Sequence, residues 1–212
     1  MSDAELADTP PTHDHYATLE QQAAAVKIAL AIFLASEALL FTGIFALVVA
    51  YQSDWPHAFQ IGIAHNTKVL GSINTGVLLI SSTLVAVAVD AQRAGRRVLA
   101  GSLTLATAVL GIVFLVIKMT EYAQHFSEGI YPGGRGHFFL EHPEHGLPTF
   151  WSLYYLATGL HAVHVTVGTG ILVYRGIRVF KGSLQHSLEA SALYWHFVDV
   201  VWIFLWPIFY LA

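Results

Sequence analysis

Five long apolar runs dominate the chain, at residues 26–50, 68–89, 99–120, 150–174 and 191–211, with polar stretches between them. Each run is continuously apolar, without the alternation of a lipid-facing β-strand. A hydrocarbon core is crossed by about 20 helical residues, so each run is long enough to span it. Only helices and closed barrels satisfy their backbones in lipid. The pattern therefore predicts an all-α, polytopic membrane protein, a bundle of five transmembrane helices. Residues 1–25 read as a mobile or interfacial N-terminal tail, and residues 26–212 as one transmembrane domain with an extended outer loop at 122–149. The acidic start lacks the basic opening and early apolar core of a secretory signal.

Charge orients the bundle. Lys27, Arg93, Arg96, Arg97, Arg175, Arg178 and Lys181 fall on the side of the N-terminus and of the second and fourth connections, whereas Lys68, Lys118 and Arg135 fall on the other. The excess predicts the N-terminus inside and the C-terminus outside. Composition agrees with a membrane chain: 55% hydrophobic and 11% charged residues, with a mean hydropathy of +0.58. The net charge of −4 and the lack of a basic patch beyond those connections give no sign of nucleic-acid binding. Cysteine is absent, which excludes disulfides, iron–sulfur clusters, thiolate-bound copper or zinc, and covalent haem attachment through C-x-x-C-H.

Small residues recur at helical spacing along the spans. Ala29, Ser36, Gly43 and Ala50 repeat every seventh position in the first. Gly71 with Thr75, and Ser72 with Gly76, form small-xxx-small pairs in the second, on which Asn74 adds a polar position. Thr158, Ala162, Thr166 and Gly170 repeat every fourth in the fourth span, and Gly159 and Gly168 lie beside its histidines. Such stripes let helices approach closely in lipid.

The candidate chemistry lies in titratable groups at membrane depth. At 1.5 Å of rise per residue, Glu37 sits ~16 Å from the inner end of its helix, His161 and His164 ~14 and ~9 Å from the inner face, and Asp199 ~12 Å from it, with His196 nearer still. Glu37, His161, His164 and Asp199, on three helices, thus share one band, with His196 at its edge, and each is costly if exposed to lipid. Residues alone leave four readings: a structural polar cluster, a metal or haem site, a proton relay, or a transport site. His161 and His164 share a helix face and cannot be trans ligands of one iron, although either could pair with His196. Lys118 and Glu121, at i and i+3, read as an interfacial ion pair. His137, His142 and His145 in the outer loop fit no common metal-ligand spacing.

Several segments carry a specific resemblance. "FWSLYYLATGLHAVHVTVG" (150–168) resembles the pattern of an aromatic-rich start followed by T-G-x-H-x-x-H-V-x-x-G in subunit III of the haem-copper cytochrome oxidases. "YWHFVDVVWIFLWPIFYL" (194–211) is similar to that family's C-terminal segment. "SEALLFTGIFALVVAY" (36–51), "NTGVLLISS" (74–82) and "EY" at 121–122 resemble its glutamate-bearing helix and the helices that follow. The resemblance runs in order from residue 26 to 212.

It implies a subunit with no catalytic residues, redox centre or metal of its own, haem and copper being held by partner subunits. The implied partners are the haem-copper catalytic subunit I, other oxidase subunits and membrane lipids, including bound phospholipid. The implied setting is the bacterial inner membrane, and the implied role is support of proton uptake and durable turnover. Glu37, His161, His164, His196 and Asp199 carry over as buried structural or proton-linked groups. The common form has seven helices, so this is a short five-helix form, in which another subunit would supply the missing wall of the lipid cleft. The extended outer loop would dock an external partner such as a cytochrome domain. The related accessory protein of nitric oxide reductases shares these helices and is the alternative. A stand-alone His/carboxylate metalloprotein is a further one.

Overall fold

The computed structural model describes residues 19–182 and 188–211, so most of the expected N-terminal tail (1–18) lies outside the described residues. Seven helices follow in order: α1 (Leu19–Asp54), α2 (Pro56–His65), α3 (Lys68–Arg93), α4 (Arg97–Ser127), α5 (Phe138–Glu141), α6 (Leu147–Phe180) and α7 (Glu189–Tyr210). No strand occurs among the described residues. Five of the helices, α1, α3, α4, α6 and α7, are long and apolar enough to cross a membrane.

Helix boundaries follow local chemistry more than hydropathy. α4 runs past the end of its apolar stretch to Ser127 and stops in a Schellman turn: Gly129, at φ +76°, donates to the Phe126 carbonyl, and the Ile130 N–H closes on His125 at 2.9 Å. Ile130 is fully buried, the apolar contact that such a turn favours. α3 ends the same way at Gly95, where the Arg96 N–H reaches the Ala91 carbonyl. α6 starts at Leu147, before its apolar run, with Pro148 in its first turn where a missing N–H costs nothing. Gly146 precedes it at φ +95° and lies so close to the Trp55 indole that a Cβ would collide.

α3, α4, α6 and α7 form a closed ring of four, each packed on two others of the set, whereas α1 lies outside against α6, α7 and α2. Of the apolar window in α1 only 17% is buried, against 50% in α7. The ring is pinned by Trp195 of α7. Its indole lies across Gly111 of α4 and Gly168 of α6, where an added Cβ would come within 2.7 and 2.9 Å of it. Its Nε1 donates to Ser81 of α3 at 3.0 Å. One side chain thus touches the other three helices of the ring, a contact that only small residues permit.

The segment expected as a long outer loop is shorter and more ordered. Helix α4 takes its first residues, α6 its last, and α5 interrupts the rest. Phe138 and Phe139 of α5 are buried, and Phe138 packs on Trp151 and on His65 of α2, with ring centroids 6.2 and 4.9 Å apart. Together α2 and residues 128–146 cap one end of the bundle, the loop end. The opposite, basic end carries Arg93, Arg97 and Arg178.

Candidate functional site

Buried ionisable groups gather in three places. The most enclosed is a cage near the loop end. Lys118 and Glu121 of α4 are 0% and 1% exposed. The Lys118 Nζ donates to Glu121 Oε2 at 3.1 Å, to Tyr154 OH at 2.8 Å and to Tyr210 OH at 2.6 Å. Both tyrosines then donate to Glu121 Oε1, at 2.8 and 2.7 Å. Every proton in the ring has one direction. Beside it, Thr158 Oγ1 donates to the Tyr154 carbonyl, so the Tyr122 hydroxyl donates to Thr158 in turn at 2.5 Å. Lys118 and Glu121 form the expected ion pair, and both are enclosed by the helices of the bundle, where tyrosines from α6 and α7 complete their shells. Lys118 does not snorkel out.

The second place joins α1 to α6. Glu37 Oε2 lies 3.0 Å from His164 Nε2, and His164 Nδ1 lies 2.8 Å from the Leu160 carbonyl. A carbonyl only accepts, so Nδ1 carries a proton. The contact between Nε2 and the carboxylate oxygen needs a second proton, held either by the ring or by the acid. The pair therefore carries one transferable proton between two partly buried groups, with side chains 17% and 11% exposed. Phe41 covers His164 edge-on at 5.5 Å.

The third lies where α3 meets α7. His196 Nδ1 is 2.6 Å from Ser82 Oγ. Asp199, one turn on and 3% exposed, sits beside Ser82, yet neither carboxylate oxygen closes a hydrogen bond among the described residues.

His161 belongs to none of the three. Its ring is fully buried between Phe114 of α4 and Trp202 of α7, at 5.4 and 5.1 Å, and neither nitrogen has a hydrogen-bond partner among the described residues. The residues expected as one band thus separate: Glu37 meets His164, His196 and Asp199 flank Ser82, and His161 packs among aromatic rings.

The residues expected to pack helices also divide. Gly71 lies under Tyr210 and Trp206, and Gly168 under Trp195 and Tyr194. Thr75 accepts from Trp202 Nε1 at 3.0 Å. Gly159 is in loose contact with Tyr122, and Asn74 is buried with its amide unpartnered among the described residues. Ser36, Gly43 and Gly170 face outward. Ser36 donates only to the carbonyl of Phe33, and nothing lies within 4 Å of a Cβ added at Gly43 or Gly170.

Sequence reasoning missed Tyr154 and Tyr210. The signal was two opposite charges inside a span, which need partners, with hydroxyls at the matching ends of α6 and α7. It also missed two His–carboxylate contacts that tie α2 to the cap, His65–Glu128 at 2.6 Å and His57–Glu144 at 3.4 Å. Among the described residues no group of three or more His, Cys, Asp or Glu is arranged to hold a metal, and His137, His142 and His145 do not converge.

Fold and polar groups together define a polytopic helical membrane protein whose charges are held between helices. The model of the cytochrome c oxidase subunit III family matches residues 12–212, and the chain belongs to that family. It is 30% identical to a probable quinol oxidase subunit 3 of Staphylococcus haemolyticus, over 87% of this chain and 88% of the relative. It is also 30% identical to cytochrome c oxidase subunit 3 of Loxodonta africana, over 91% of this chain and 70% of the relative. The family is one of non-redox subunits of oxidase complexes.

Proposed function

We propose that the chain serves a haem-copper terminal oxidase of a bacterial inner membrane as its non-catalytic subunit III. It packs against the catalytic subunit, which holds the haem and copper that reduce oxygen, and it supports proton uptake, lipid retention and lasting turnover. Its N-terminus lies inside, in keeping with the basic residues at that end of the bundle.

The observation that carries the proton-linked part is the Glu37–His164 pair. The carbonyl of Leu160 fixes the tautomer of the ring, so the proton shared by Nε2 and the carboxylate stays at one place. Moving that proton between ring and carboxylate keeps the pair neutral overall, so onward transfer requires a second proton to reach the pair as the first one leaves. The lipid part draws support from a groove of about 880 Å³ between α1, α6 and α7, lined by Leu30, Phe33, Val167, Ile171, Tyr174 and Arg175. Its apolar walls suit an acyl chain, and Arg175 at the basic end suits a phosphate.

The test is a mild-detergent pull-down of the chain from its own membranes, read by visible spectrum and protein composition. Recovery of a haem-copper catalytic subunit is the expected result. A chain that came alone, coloured or loaded with metal, would overturn the reading. In the recovered complex, Glu37→Leu should slow proton uptake and shorten the active life during turnover while the haem spectrum stays unchanged.

A further inference from the structure

The third polar place differs from the other two in holding groups whose hydrogen bonds are not all closed among the described residues. His196 lies ~10 Å from the start of α7, within the membrane-spanning part of the helix. Its Nδ1 is engaged by Ser82, but Nε2 meets no hydrogen-bonding group among the described residues, and the ring is only half-buried. Under it, Asp199 is 3% exposed with both oxygens unpartnered. Hydrocarbon offers such groups nothing, so polar side chains at this depth pair with one another or with another protein.

The surface around them is shaped for a helix. Gly71, Thr75 and Ser82 turn one side of α3 towards α7, where they meet Trp206, Trp202 and His196. The next positions round the helix, outward from that seam, are Ser72, Gly76 and Thr83. Ser72 and Thr83 are exposed and donate their hydroxyls to their own backbone, to the Lys68 and Leu79 carbonyls. A Cβ added at Gly76 would meet nothing within 4 Å. α1 shows a comparable small-residue stripe at Ala29, Ser36, Gly43 and Ala50, all exposed. That stripe, though, presents no unmet polar group, because Ser36 and Thr42 both donate to backbone carbonyls of their own helix. The two outward faces therefore differ in one respect, and it decides between them.

We infer that the α3–α7 seam at Ser72, Gly76, Thr83 and His196 receives a transmembrane helix of another oxidase subunit, which presents a hydrogen-bonding side chain to His196. The assignment rests on the oxidase-subunit reading above and specifies its docking face. A lipid chain lacks the complementary polar group, and the small residues allow the close backbone approach that a helix needs.

Gly76→Leu tests it in the whole complex, because the new side chain enters open space in this chain and improves helix propensity. The chain should reach the membrane in normal amount and melt normally, while haem recovered per tagged chain falls about tenfold or more. Gly43→Leu, the same change on the α1 face, should leave that recovery unchanged. Full haem recovery with Gly76→Leu, or loss with Gly43→Leu in its place, overturns the assignment. A photo-crosslinking residue at Thr83 gives a second readout that leaves the seam intact. An adduct with another oxidase subunit supports the docking face, whereas adducts with lipid alone or with a second copy of this chain overturn it. If the unaltered chain recovers no haem protein, the functional reading itself fails, a result separate from loss in the Gly76 variant alone.

Discussion

Lys118 and Asp199 are both ionisable, almost wholly buried and set within spanning helices, yet their surroundings differ completely. Lys118 makes three hydrogen bonds inside its own chain. Asp199 makes none among the described residues. Burying a charge costs several kcal/mol unless partners repay it. At the cage the repayment comes from three helices of the same chain, so the charge contributes to the fold. At the seam the carboxylate is enclosed without a hydrogen bond among the described residues, so its burial is a cost that the chain's own contacts do not offset. The two sites separate a buried charge that contributes to the fold from a buried acid that does not.

The sharpest way to break that contrast is at the cage. Glu121→Leu strands a buried ammonium and should cost ~3–5 kcal/mol, whereas Lys118→Met with Glu121→Leu should recover most of the loss. Thermal unfolding of the purified chain in detergent checks both, and equal losses in the single and double variants would refute the pairing. Tyr210→Phe removes one donor and one acceptor from the ring and should cost ~1–3 kcal/mol. Hydrogen exchange should then rise at the loop end of α7 and stay unchanged at its basic end. The seam should respond with opposite sign: Asp199→Leu should stabilise the isolated chain by ~1 kcal/mol, because an unpartnered polar group is removed. His196→Leu, which removes the ring assigned to meet the partner, should lower recovery of the partner subunit, measured by haem per chain. Weakest is His65→Ala, which removes a half-exposed pair with Glu128. It should cost under ~1 kcal/mol, and less at high salt, on the same unfolding assay.

Hydropathy made the five spans legible because each spanning helix must be apolar over most of its length. It said less about where helices stop. The last residues of α4 look polar, but a Schellman turn and the buried Ile130 carry the helix to Ser127. α2 escaped notice because its ten residues mix polar and apolar positions, and Pro56 at its start reads equally as a turn. Position along a helix can be read from rise per residue, and Glu37, His161, His164, His196 and Asp199 lie in helices long and apolar enough to cross a membrane. Direction around the axis cannot. His161 and His164 differ by less than a quarter turn, yet one meets Phe114 and Trp202 and the other Glu37. Which neighbour a side chain meets depends on how the ring of four helices closes, and that is set by contacts such as Trp195 over Gly111 and Gly168. The same blindness hid Tyr154 and Tyr210, whose hydroxyls carry no mark that distinguishes them from other membrane tyrosines.

The cage also fixes an order of events during synthesis. Glu121 and its last partner, Tyr210, are 89 residues apart, which at elongation rates of about 5–20 residues per second is a delay of roughly 4–18 s. Early in that interval α4 carries an ammonium and a carboxylate with only each other for company. Tyr154 arrives with α6, 33 residues after Glu121, and the ring closes when α7 brings Tyr210. Loss of the last turn of α7 would keep all five apolar segments but remove Tyr210 from both Lys118 and Glu121. The hydroxyl ring thus makes the pairing of two residues in α4 depend on the docking of a helix made much later.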